Sequence, residues 1–211
     1  MAKTFIIGLP RTGTTSLCAS FLELGYKTAH TAYTEQSLLS AEVIADTPAY
    51  CDFKALDDHF PNSQFIYLER DTELWLPSIK SLLNRMIKNI NNDSGGFNPI
   101  LKRCFKTIFA PFDAEHINSE EHLLQCYQHH QQVVFEHFRN RPKDLLSIDI
   151  SQPESLAALL NFLDKPKNSL KHFPHLNKNQ KIIAWNHISH PLKIGSNLAG
   201  PRGRKFIEYK T

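Results

Sequence analysis

Gly8-Leu9-Pro10-Arg11-Thr12-Gly13-Thr14-Thr15-Ser16 is the stretch on which the reading of this 211-residue chain turns. It is entered from residues 3–9, a short apolar run that stops at a Gly/Pro turn, the pattern of a strand buried in a parallel sheet. Beyond Gly13 the period becomes helical: Leu17, Phe21, Leu22 and Leu24 share one face, and Gly25 follows as a stop. Strand, glycine-containing turn and helix open an α/β domain. Such a turn presents backbone N–H groups and the positive end of its helix to an anion. The hydroxyls of Thr12, Thr14, Thr15 and Ser16 add donors. A bound phosphorylated nucleotide is implied. The spacing Gly8-x4-Gly13 is that of the G-x-x-x-x-G-K-[ST] loop, with Thr14 where the lysine would stand. Arg11 is the loop's cation, and it precedes the second glycine.

Short strands are expected at residues 27–30 and 42–45, and further strands at 64–68 and 145–150. Helices are expected over 48–60, with Pro48 near the start and Pro61 beyond the end, and over 72–90 through Trp75, Ile79, Leu82, Leu83 and Met86. A further helix should open on a capping box of Asn118 and Glu121 and run to 139, and another should cover 153–163. Residues 91–98 read as a loop, and the aromatic run 105–112 has no assignment from pattern. Alternating strands and helices predict an α/β, three-layer fold: a parallel β-sheet flanked by helices. Ligands in such folds bind at the carboxyl ends of the strands, where Leu9, Glu69-Arg70 and Asp149-Ile150 fall.

Composition narrows the function classes. With 41% hydrophobic and 21% charged residues the chain is an ordinary globular one, and a net charge of +3 does not suggest a nucleic-acid binder. It suits an anionic small ligand if the basic residues converge. Cys18, Cys51, Cys104 and Cys126 form no C-x-x-C pair and read as reduced thiols of a cytoplasmic protein. No segment approaches the roughly 20 apolar residues that span a bilayer. His172-x-x-His175 and His187-x-x-His190 have a spacing a metal could use, but no Cys or acidic cluster completes a set, so no metal is expected.

Pro10-Arg11-Thr12-Gly13-Thr14-Thr15 resembles the P-K-S-G-T-T loop of sulfotransferases that use 3′-phosphoadenosine 5′-phosphosulfate (PAPS), with Arg11 at the lysine position. The stretch from Gly8 to Leu17 is closer still to the sulfotransferase-like branch with G-x-x-R-T-G-T-x-S-L. The segment Phe65-Ile66-Tyr67-Leu68-Glu69-Arg70-Asp71, with Trp75 and Ser78, resembles the family's second motif. Phe173-Pro174-His175-Leu176-Asn177 is similar to that branch's F-P-x-L-N segment. The resemblance spans roughly the first four-fifths of the chain, as one domain over residues 1–211.

Several roles follow from the resemblance. Pro10, Arg11, Thr12, Gly13, Thr14, Thr15 and Ser16 would surround the 5′-phosphate and bridging oxygens, with Arg11 stabilising the transfer. Arg70 and Ser78 would grip the 3′-phosphate of PAPS and of its product, adenosine 3′,5′-bisphosphate (PAP). Arg202 and Arg204, in a basic tail over 178–211, would stand in for the family's late phosphate loop. The general base is Asp46 first and His30 second, and Asp46 has an alternative reading as a cap for the helix after it. Residues 91–139 would form a helical insertion lining the site of a small-molecule or glycan acceptor, sulfated at a hydroxyl or amine. The sequence allows two rival readings. One is a P-loop kinase or NTPase, with Leu145-Leu146-Ser147-Ile148-Asp149 as its magnesium-binding strand. The other is a non-catalytic nucleotide-binding protein of the same fold. The sequence leaves the oligomeric state open.

Overall fold

Alternate residues of each central strand face opposite ways, and the apolar ones sort onto two faces accordingly. The computed structural model describes residues 2–174, 177–178, 181–182, 184–199 and 207–208. Within it, β1 (Thr4–Ile6), β2 (Thr28–Ala29), β3 (Val43–Ala45), β4 (Gln64–Leu68) and β5 (Leu145–Ile148) form one parallel sheet in the order β2-β3-β1-β4-β5. Phe5, Ile7, Ile44, Phe65 and Tyr67 cover one face. Phe53 and Leu56 of α3 (Asp46–His59), and Val134 and Phe138 of α6 (Glu120–Phe138), pack against it. Ile6, Val43, Ala45, Ile66 and Leu68 cover the other, beneath Leu17, Phe21 and Leu22 of α1 (Thr14–Glu23) and Leu159 of α7 (Ser155–Phe162). This is the three-layer α/β architecture expected.

A third apolar cluster lies beside the sheet. Trp75, Ile79, Leu83 and Ile90 of α4 (Thr72–Ile90) meet Cys104 and Phe105 of α5 (Pro99–Ile108), with Leu123 and Tyr127 of α6. Asn98 caps α5 by accepting from the Ile100 amide, and Pro99 sits at the first helical position. This Asn-Pro signal marks a helix start that the aromatic run 105–112 had concealed. Helix α6 is capped by Ser119, which accepts from the His122 amide at 3.2 Å, not by Asn118. Asn118 donates instead to the Ala114 carbonyl and to Asn84, so the Asn118/Glu121 box does not form. The short helix α2 (Glu35–Ser40) was not foreseen; Thr34 caps it by accepting from Ser37.

From β1 the chain goes to one side of the sheet for β2 and β3, then crosses to the other side for β4 and β5. The carboxyl end of β1 therefore lies where the order of winding reverses, the place where open α/β sheets leave a crevice. The chain also returns there late. Around Lys193 it runs parallel to Thr28 of the edge strand β2, with Thr28 N–H donating to Leu192 and Ile194 N–H to Thr28. The part of the basic tail over 184–199 is thus packed against the sheet edge. Among the described residues no helix is long and apolar enough to cross a membrane.

Candidate functional site

The loop between β1 and α1 owes its shape to its two glycines. A Cβ on Gly8 would lie 2.6 Å from the Leu68 Cβ and 2.7 Å from its carbonyl oxygen, so only glycine lets β1 end this close to β4. Gly13 has φ 107° and its Cβ would meet Ile150 Cδ1 at 2.6 Å. Between them Arg11 also adopts a left-handed backbone, φ 76°, a conformation that costs a non-glycine residue free energy and clusters at functional sites. Thr12 holds the turn closed, its hydroxyl donating to the Leu9 carbonyl at 2.7 Å. Trp75, fully buried, donates its indole N–H to the Pro10 carbonyl at 3.0 Å. The tryptophan of the second motif is thus a prop for the loop.

Helix α1 starts at this loop with no side-chain cap and no acidic residue in its first turn. Its N-terminal amides and positive dipole end face the loop uncompensated. Two guanidiniums meet there: Arg70, leaving β4, donates from Nη1 to the Arg11 carbonyl at 2.5 Å. Partial burial first, and then the charges of Arg70 and Arg85, lower the pKa of Arg11 below its ordinary value. It remains a cation at any physiological pH. Among the described residues no ion pair includes Arg11, Arg70 or Arg85. Arg11 and Arg70 therefore leave positive charge without an ion-pair partner beside the uncapped start of α1.

Ser78, on the second turn of α4, accepts from Arg11 Nε at 2.8 Å. Arg70 and Ser78 are therefore joined through Arg11, one to its carbonyl and the other to its guanidinium. A cleft of about 270 Å³ opens beside them, lined by Thr12, Ser16, Arg70, Asp149 and the Phe173-Pro174 pair. Its walls are the loop, the ends of β4 and β5, and the segment resembling F-P-x-L-N. His175 and Leu176 of that segment lie outside the described residues, as do Arg202 and Arg204.

On the other flank of the loop, His30 follows β2 and places Nε2 3.3 Å from Thr14 Oγ1 and 3.0 Å from Thr15 Oγ1. Burial lowers its pKa; the Asp46 carboxylate opposes that shift and Lys193 adds to it. The ring is neutral at pH 7, with one nitrogen free to accept a proton. Asp46 stands at the end of β3 with φ 48°. Its carboxylate accepts from the Thr47 hydroxyl at 3.2 Å, and no backbone amide of α3 bonds to it. The alternative reading of Asp46 as a helix cap is therefore not realised: Thr47 departs from helical geometry at the first turn. Both candidate bases face the same flank.

Two residues that sequence reasoning missed complete this flank. Trp185 stacks on His30 with ring centroids 5.6 Å apart, and Lys193 lies over Trp185 at 5.1 Å. Lys193 Nζ is fixed by the carbonyls of Trp185 at 2.7 Å and Ile188 at 2.8 Å. A tryptophan inside a polar tail was the available signal. His175, of the first histidine pair, lies outside the described residues; among the described residues the side chains near enough to share an ion are Cys51, Asp52 and Cys104.

Fold and site together define an α/β protein with a cationic, hydroxyl-rich loop at the carboxyl edge of its parallel sheet. Residues 3–41 and 30–182 match the family described as a sulfotransferase domain, and the chain belongs to that family. No curated protein matches it.

Proposed function

We propose that the protein moves a sulfuryl group from PAPS to a hydroxyl or amine of a small-molecule or glycan acceptor. The observation that carries this is the unpaired Arg11–Arg70 couple at the uncapped start of α1. Its two guanidiniums match a nucleotide bearing separate 5′ and 3′ anionic groups. Thr14 and Thr15 hydroxyls and the amides of the first turn receive the 5′-phosphate and the sulfuryl oxygens. Arg11 faces the bridging oxygen, where negative charge builds as the sulfuryl departs, and preorganised donors there lower the barrier. Arg70, steadied by the Arg11 carbonyl, takes the 3′-phosphate with Ser78 close by.

On the acceptor flank, neutral His30 removes the proton of the attacking group, and the Asp46 carboxylate stabilises the imidazolium that results. Asp46 can also take that proton directly, so substitution must apportion the two. Residues 91–139 supply acceptor contacts in this reading. The four free thiols fit a reducing, cytoplasmic setting.

Ligand-dependent melting tests the donor assignment. PAP should raise the melting temperature without Mg²⁺, by an amount set by its affinity. Stabilisation by Mg·ATP with no response to PAP would instead favour the kinase or NTPase reading. A PAP complex that sulfates no member of a broad acceptor panel would favour a binding protein.

A further inference from the structure

Away from the loop, two thiols come together where α3 meets α5. The Sγ atoms of Cys51 and Cys104 and a carboxylate oxygen of Asp52 all lie within 4.8 Å of one another. Cys104 is buried and Cys51 half-buried. Cys51 also lines a cleft of about 380 Å³ shared with Lys54, Thr107 and His129, which gives a small molecule a route to its sulfur. Arg103 binds Asp52 with two hydrogen bonds, at 2.8 and 2.6 Å, and its Nη1 stands 3.8 Å from Cys51 Sγ.

We propose that Cys51 and Cys104 are a thiol–disulfide pair, in which Cys51 is oxidised first by a hydroperoxide and Cys104 resolves it. In the first step the Cys51 sulfur attacks the O–O bond, forming an S–O bond and releasing an alcohol, or water when the oxidant is hydrogen peroxide. Sulfur gives up two electrons, the peroxide gains them, and Cys51 becomes a sulfenic acid. In the second step Cys104 sulfur attacks Cys51 sulfur, the S–S bond replaces S–O, and hydroxide leaves with the Cys104 proton as water. The surroundings divide the labour. Arg103 stands ready as a donor to charge on the Cys51 sulfur, while the hydrogen bond to Cys51, and then burial, push the Cys104 thiol up. Cys104 therefore stays protonated until a sulfenic acid is beside it.

Asp52, the residue after Cys51, leaves helical geometry (φ −106°, ψ 18°), so α3 is already broken at this point. The segment of α3 before the break also carries Asp46. The same three ligand atoms could suggest a metal, but Arg103 already occupies both oxygens of Asp52. The other two thiols are poor competitors: burial raises Cys18 well above the ordinary range and pushes Cys126 up to about 11.

The test is peptide mass mapping of the full chain after treatment with hydrogen peroxide. The expected product has lost two hydrogen atoms, carries a Cys51–Cys104 cross-link, and returns to the starting mass with a dithiol reductant. Cys104→Ser should stop at a sulfenic acid on Cys51 that dimedone traps, and Cys51→Ser should give neither adduct nor cross-link. Cross-linking through Cys126 or Cys18, or dimedone labelling of Cys104 in Cys51→Ser, overturns the proposal. So does stoichiometric Zn²⁺ binding by the reduced protein that shields both thiols from alkylation.

Discussion

Replacing Arg70 by Ala separates the nucleotide role of the cationic pair from any role in folding. In the folded chain Arg70 donates to the Arg11 carbonyl, and its charge faces that of Arg11. Removing it loses one hydrogen bond, worth about 0.5–1.5 kcal/mol, and relieves a like-charge contact of the opposite sign. The two effects nearly cancel, so stability should move by no more than about 1 kcal/mol. Affinity should not cancel in this way. A guanidinium on a terminal phosphate makes charge-assisted bonds worth about 1.5–3 kcal/mol each. With two such bonds partly replaced by water, a loss of about 2–4 kcal/mol is expected, or PAP binding weakened about 30- to 700-fold. Adenosine 5′-phosphate, which lacks the 3′ group, should bind the variant and the parent within about threefold. Titration calorimetry with both nucleotides, alongside urea unfolding, reads all three quantities. If PAP and adenosine 5′-phosphate weaken equally, or PAP not at all, Arg70 does not hold the 3′-phosphate.

Ser78→Ala should weaken PAP by about 1 kcal/mol, roughly fivefold, because Arg11 loses the acceptor that aims its Nε; unchanged affinity would leave Ser78 without a role in the cradle. His30→Ala should lower turnover by about 10²–10⁴ with PAP affinity preserved, the size expected of a general base. The acid limb of the parent's activity should fall below pH 6.5, since burial sets the His30 pKa under its ordinary value; a limb above that pH would contradict the assignment. Gly8→Ala drives a Cβ into the Leu68 backbone and side chain and should cost about 1–3 kcal/mol or more in urea unfolding. His130 is buried, its Nε2 is 2.8 Å from the Tyr50 carbonyl oxygen, and burial lowers its pKa to about 4. The unfolded chain takes up this proton first, so stability is complete above pH 6.5 and falls by roughly 3 kcal/mol as pH drops towards 4. Urea midpoints against pH should show that slope in the parent and a flatter one in His130→Gln.

Much of the fold was legible because local chemistry repeats itself. The apolar run into Gly8, the amphipathic stripe through Trp75 and Ile79, and the strand at residues 64–68 each declare their period within a few residues. The helix over Pro99–Ile108 was legible in principle from Asn98-Pro99, but the aromatic run after it hid the period. Ser119 displaced Asn118 as cap by a single residue, a distinction set by backbone angles that spacing does not carry.

Of the site, the loop and its donors were readable from the chain alone: two glycines, one arginine and four hydroxyl side chains fall within residues 8–16, and their chemistry needs no distant partner to be recognised. It also placed Arg70 and Ser78 in a second motif. Packing, not local pattern, makes Ser78 meet Arg11, sets Trp75 against the loop at Pro10, and leaves Asp46 without a capping amide. Packing likewise brought Trp185, from far along the chain, onto His30 and Lys193 onto Trp185. A loop's shape is written in its own φ angles and side chains, whereas a neutral histidine is made by burial and neighbouring charge. Those belong to whichever strands and tail segments the sheet brings together.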